Sequence, residues 1–123
     1  MAEATVWHNA RCSKSRGALA LLEERGVDVE VRTYLTDPPT RAEVERLLEQ
    51  LGTDDPRTIV RTGEQRYREL GLRDADRDEL IAALTAEPVL LERPVIVHRG
   101  RAVVGRPPER VLELLDLPDD PAG

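Results

Sequence analysis

The stretch ATVWHNARCSKSRGALALLEERGVDVEV, residues 4–31, decides the fold. Ala4-Thr5-Val6-Trp7 reads as a short strand. Asn9 to Cys12 is loop. From Ser13 to Arg25 the apolar residues Ala18, Leu19, Leu21 and Leu22 recur at helical spacing, and Gly26 supplies a stop. Val27-Asp28-Val29-Glu30-Val31 alternates strictly, as a half-buried strand does. A helix joining two consecutive strands is a crossover, so the two strands pair in parallel.

Working outward, Thr36-Asp37-Pro38-Pro39-Thr40 is a turn. Thr40 and Glu43 form a capping-box pattern opening a helix with Val44, Leu47, Leu48 and Leu51, closed by Gly52. The middle carries shorter helical signals. Asp54-Asp55-Pro56 can start one turn, and Asp76 to Ala86 aligns Leu80, Ile81 and Leu84 before Pro88. Pro94-Val95-Ile96-Val97-His98 reads as a buried strand, Arg99-Gly100 as a hairpin turn, and Ala102-Val103-Val104 as its partner. A last helix after Pro107-Pro108 carries Val111, Leu112, Leu114 and Leu115. The order is βαβ, then helices, then ββα. This is an α/β fold with a thioredoxin-like mixed sheet and a helical insert at about residues 40–90 between its two halves. The expectation is a single domain over 1–117, with an acidic, proline-containing disordered tail at 118–123.

Composition narrows the function. The chain has 123 residues, 40% hydrophobic and 34% charged, enough for a packed core. No apolar run approaches the ~20 residues of a membrane span. The first residues lack the basic and long apolar regions of a secretory signal, so a cytoplasmic location is expected. A net charge of −6 without a basic tract argues against nucleic acid as a partner. No unexplained apolar surface stripe stands out, so a monomer is expected. The single cysteine, Cys12, excludes an internal disulfide and any multi-cysteine zinc site.

Cys12 lies in His8-Asn9-Ala10-Arg11-Cys12-Ser13-Lys14-Ser15-Arg16, where the first strand gives way to the first helix. Unpaired backbone N–H groups and the positive end of the helix dipole favour an anion there, thiolate or bound oxyanion. Arg11, Lys14 and Arg16 add positive charge, and these polar flanks argue against burial of the sulfur. Such a cysteine should have a depressed pKa. His8 could stabilise the thiolate if protonated, or only hydrogen-bond if neutral.

His8-Asn9-x-x-Cys12-x-x-Ser15-Arg16 resembles the ArsC family of glutaredoxin-coupled arsenate reductases. So do Tyr34-Leu35-x-x-Pro38-Pro39-Thr40 and Val60-Arg61-Thr62-Gly63-Glu64-x-x-Tyr67-x-Glu69-Leu70-Gly71-Leu72. Pro88-x-Leu90-x-x-Arg93-Pro94-Val95-Ile96-Val97 and Gly105-Arg106-Pro107-Pro108 continue the likeness, which spans roughly residues 4 to 116. The resemblance implies a nucleophilic Cys12 and three oxyanion-binding arginines, Arg61, Arg93 and Arg106. Guanidinium forks suit a tetrahedral oxyanion by bidentate hydrogen bonding. His8, Ser15, Arg16 and Pro94 are supporting residues, Pro94 resembling the cis-proline of thioredoxin-like folds. No metal and no tightly bound cofactor are implied.

Reducing arsenate takes two electrons, and Cys12 has no internal partner. The expected co-substrate is therefore glutathione or another low-molecular-weight thiol, with a glutaredoxin-type protein as reductant. Two other readings compete. One is an Spx-like regulator that binds RNA polymerase; many of those carry a Cys-x-x-Cys switch, where this chain has Cys12-Ser13-Lys14-Ser15. The other is a thiol oxidoreductase of unknown substrate.

Overall fold

The structure is a computed structural model and describes residues 2–116. The expected disordered tail at 118–123 lies outside the described residues. The chain divides into two compact units, one holding residues up to Tyr34 together with those from Arg93 onward, the other Leu35–Glu92.

In the first unit, β1 (Ala4–Trp7), α1 (Ser13–Glu24) and β2 (Val29–Arg32) form the crossover, and β1 and β2 pair in parallel. β3 (Val95–His98) and β4 (Arg101–Val104) form a hairpin, and α5 (Arg110–Asp116) follows. β3 runs antiparallel to β1, which gives a four-stranded mixed sheet in the order β2-β1-β3-β4. Arg99 and Gly100 take positive φ of 50° and 82°, the backbone that a two-residue hairpin turn requires. The βαβ and ββα halves of the thioredoxin-like arrangement are thus both present.

Side-chain alternation along the strands places Val6 and Ile96 on the same face, as register partners. They form a buried core with Ala18 and Leu22 of α1 and with Val111 and Leu114 of α5. The helical period aligns these residues because 18 and 22, like 111 and 114, are one turn apart. Gly26, at φ 70°, ends α1 as expected. The second strand departs from its expected extent: it begins at Val29 rather than Val27, and Val31 is 44% exposed. β2 is an edge strand pairing only with β1; Val27 and Val29 pack partly buried against the core while Asp28 and Glu30 are exposed, as the alternation predicts up to the exposed Val31.

The second unit is helical. α2 (Arg41–Leu51) opens with the expected capping box: Glu43 N–H donates to Thr40 Oγ1 at 3.2 Å and Thr40 N–H to Glu43 Oε1 at 2.9 Å. Gly52 closes it at φ 77°. A 3₁₀ turn at Pro56–Ile59, capped by Asp55, is followed by α3 (Gln65–Glu69), a short helix not individually expected. α4 (Arg77–Ala86) is capped by Asp76 and Glu79 and packs against α2, with Leu80, Ile81 and Leu84 buried. Arg41 pairs with Asp78, and Arg77 Nη1 donates to Glu45 Oε1 at 3.0 Å, joining α2 to α4. No helix among the described residues is long and apolar enough to cross a membrane.

One contact in the first unit leaves no room for a side chain. A Cβ on Gly105 would lie 2.9 Å from Ile96 Cδ1 and 3.0 Å from Pro94 Cγ. Gly105 N–H also donates to the Pro94 carbonyl at 2.8 Å. Gly105→Ala is therefore expected to destabilise the protein by roughly 1–3 kcal/mol through overpacking. Urea unfolding checks this, and an unchanged midpoint would show that Ile96 and Pro94 can give way.

Candidate functional site

The strand register assembles the site. Trp7 pairs with Val95 across β1 and β3, which run in opposite directions. The residues leaving β1 therefore lie beside those entering β3. Val95 in turn pairs with Val104, so the residues leaving β4 lie beside the same place. One end of the sheet thus gathers His8 to Cys12, Arg93-Pro94 and Gly105-Arg106. The peptide bonds Arg93-Pro94 and Arg106-Pro107 are both cis.

Cys12 is the N-cap of α1, in extended backbone at φ −94° and ψ 121°. The first turn of α1 has no acidic residue, so the positive end of the helix remains uncompensated by its own side chains. Cys12 N–H donates to the Asn9 carbonyl at 3.0 Å, and Arg11 N–H to Asn9 Oδ1 at 3.0 Å, which folds the loop back on itself. Arg16 Nη1 donates to the Ala10 carbonyl at 2.7 Å and pins the same loop from α1.

Cys12 is buried, at 9% exposure, contrary to the expectation from its polar neighbours. Those neighbours point outward: Arg11, Lys14 and Arg16 are exposed while Cys12 and Ser15 face inward. Burial pushes the thiol up, but the Ser15 amide, the Arg93 guanidinium and the Lys14 amide together outweigh it, and its pKa lies below the ordinary thiol value. The amides act through proximity, since the sulfur makes no cap hydrogen bond of regular geometry. The depression expected from the helix start and the cationic flanks is therefore present: the amides at the start of α1 act as expected, but the side-chain charge comes from elsewhere. Its side-chain cation is Arg93, far away in sequence, and neither Arg11 nor Arg16 contributes.

His8 is buried at 8% exposure, and its Nδ1 lies 2.6 Å from Ser15 Oγ. Asn9 N–H donates to the same Oγ at 3.0 Å. Burial, and then the positive charge of Arg16, hold the His8 pKa below its usual value. Of the two roles open to His8, the neutral hydrogen-bonding one applies. With Ser15 it braces the first turn of α1 against the end of β1.

The Arg93 guanidinium acts on the Cys12 sulfur and lowers its pKa, yet its buried Nε has no partner among the described residues. Arg106 Nη1 donates to the Arg93 carbonyl at 3.1 Å. Pro94 is buried and lies close to Gly105. Cys12, Arg93 and Arg106 are thus brought together with His8, Ser15, Arg16 and Pro94 in the first unit. Arg61 belongs to the second unit. There its Nη1 lies 3.0 Å from Glu64 Oε2 and donates to the Val89 carbonyl at 3.4 Å. Two residues were not singled out by sequence reading: Asn9, the hinge of the cysteine loop, and Gly105, which lets β3 and Pro94 close up. The first is visible only as part of a motif, the second as a glycine directly before Arg106.

An activated cysteine at this position, facing a cis-proline on a mixed sheet, defines a thioredoxin-like protein whose chemistry centres on one thiol. Within that class the match is specific. The family model described as the ArsC family matches residues 7–114, and the chain belongs to that family. It is similar to an arsenate reductase of Neisseria meningitidis serogroup A, 44% identical over 117 residues that cover 94% of this chain and 100% of that protein. An arsenate reductase of Escherichia coli is 35% identical, covering 100% of this chain and 86% of its own. The solved structure of an arsenate reductase from Vibrio cholerae superposes with a TM-score of 0.88 at 45% identity, over 91% of this chain and 97% of that one.

Proposed function

We propose that this protein is an arsenate reductase in which the Cys12 thiolate is the nucleophile and external thiols supply the electrons. The observation that carries this reading is Arg93: one guanidinium lowers the pKa of the thiol while its buried Nε has no partner among the described residues. An oxyanion brought to the sulfur would complete that donor set. Arg106 stands beside it, tied to the Arg93 carbonyl. Arg61 joins the proposed set on the family motif alone.

Cys12 attacks arsenic, forms a sulfur–arsenic bond and expels one oxygen, which leaves as water after protonation. A low-molecular-weight thiol such as glutathione then attacks the adduct. Arsenic gains two electrons, and two external thiols lose one each as they become a disulfide. A glutaredoxin-type protein is the proposed reductant that takes up the oxidised thiol. Arsenite leaves when the bond to Cys12 is broken by water. The arginines stabilise the anionic adducts. His8 and Ser15 hold the loop so that the sulfur stays at the helix end.

The test is arsenate-dependent thiol oxidation coupled to NADPH consumption, with glutathione and glutaredoxin and, in parallel, with a mycothiol system. Turnover with one of them is the expected result. Absence of turnover with all of them at saturating arsenate sinks the reading.

A further inference from the structure

We propose that Glu64 is a positioning residue that sets the affinity of Arg61 for an oxyanion; this rests on the reading above, in which Arg61 binds the substrate. Glu64 is the N-cap residue of α3, yet its side chain caps nothing. It turns back instead to Arg61, with Oε2 3.0 Å from Nη1. Both side chains are about three-quarters buried, at 23% and 24% exposure, unlike the other, more exposed arginine–carboxylate pairs of this unit. The Val89 carbonyl engages the same Nη1 at 3.4 Å. The backbone beneath is also held: Arg61 N–H donates to the Leu90 carbonyl at 2.7 Å, and Glu64 N–H to the Arg61 carbonyl at 3.0 Å.

A guanidinium has five donors in a rigid plane. Here the described partners all lie on Nη1, so Nε and Nη2 remain available as a two-donor edge, the geometry that binds tetrahedral oxyanions bidentately. Arg61 lines a recess of about 340 Å³ together with Val60, Thr62, Gly63, Glu64 and Glu92. A long side chain left free must be ordered when the anion binds, and that cost weakens binding. Glu64 orders it beforehand. The carboxylates of Glu64 and Glu92, which both line this recess, also repel an anion, but in a partly solvated site such repulsion is damped. Ordering is the larger effect.

The experiment titrates arsenate into the full chain and follows the Nε–H resonance of Arg61, assigned with Arg61→Lys. Glu64→Ala should weaken binding about 5- to 10-fold, the size expected from freeing one long side chain. Glu64→Gln, which keeps an acceptor at the same reach, should bind within about twofold of the wild type. Glu64→Asp keeps the charge but falls short by one methylene, and should resemble Glu64→Ala. Equal or tighter binding by Glu64→Ala or Glu64→Asp overturns the proposal. So does a Glu64→Gln protein as weak as Glu64→Ala, or an Arg61 resonance in the wild type that ignores arsenate. Turnover assays on the same proteins separate the two readings. A wild type that binds arsenate through Arg61 without reducing it sinks the reductase and leaves the role of Glu64 standing.

Discussion

Cys12→Ser is expected to abolish arsenate-dependent thiol oxidation, with a loss of roughly 10³-fold or more, as removal of a nucleophile costs elsewhere. The substitution is conservative in shape. Serine is also a preferred N-cap residue, so α1 should keep its start and could gain a cap hydrogen bond. The fold is thus expected to survive, which makes the loss chemical. A hydroxyl remains protonated at neutral pH even where Arg93 and the amides of Ser15 and Lys14 would favour an anion. No other thiol exists in the chain to take over. The check is the coupled assay beside a thermal melt of both proteins. Comparable activity in the two would refute the assignment of Cys12 as nucleophile.

Arg93→Ala is expected to lower turnover about 10²-fold, close to the loss of one preorganised oxyanion donor. It should also move the thiol. The guanidinium lowers the Cys12 pKa both by hydrogen bond and by charge, whereas burial raises it. Removing Arg93 leaves burial opposed by the two amides alone, so the pKa rises. At a fixed neutral pH the thiolate fraction falls, and the alkylation rate of Cys12 by iodoacetamide should show its midpoint at higher pH than in the wild type. Arg93→Lys restores a charge without the planar fork and should recover part of the pKa depression but little of the turnover. An unchanged alkylation midpoint in Arg93→Ala would show that the helix end alone activates the sulfur.

The two measurements separate the two jobs proposed for the same side chain. Activation of the thiol appears in alkylation, which needs no arsenate. Stabilisation of the arsenic adduct appears only in turnover. His8 differs in kind: its pKa is lowered by burial and by Arg16, so it stays neutral at neutral pH and supplies structure rather than charge.

Much of this molecule is local and therefore legible in the chain. Ala4–Trp7 is a strand at its expected limits, because alternation and flanking polar residues act over a few residues. The Thr40–Glu43 capping box and the Gly52 stop lie where the side chains dictate. Cys12 at the start of a helix is equally local, since the N-cap position follows from where the apolar period begins. Edge strand β2 was less legible only in its start at Val29 and in the exposed Val31. The family motif named Arg93 and Arg106 from a distance, but it did not say that Arg93 activates the thiol.

By itself the sequence determined the order of elements, the single thiol and the family. Tertiary structure decided which side-chain cation acts on that thiol beside the helix-start amides. The exposed cations nearest in sequence face away from the sulfur, while antiparallel pairing of β1 with β3 delivers Arg93 to it. Helix starts and strands answer to neighbours within a turn or two. The charge that a buried atom feels answers to whatever the sheet places beside it.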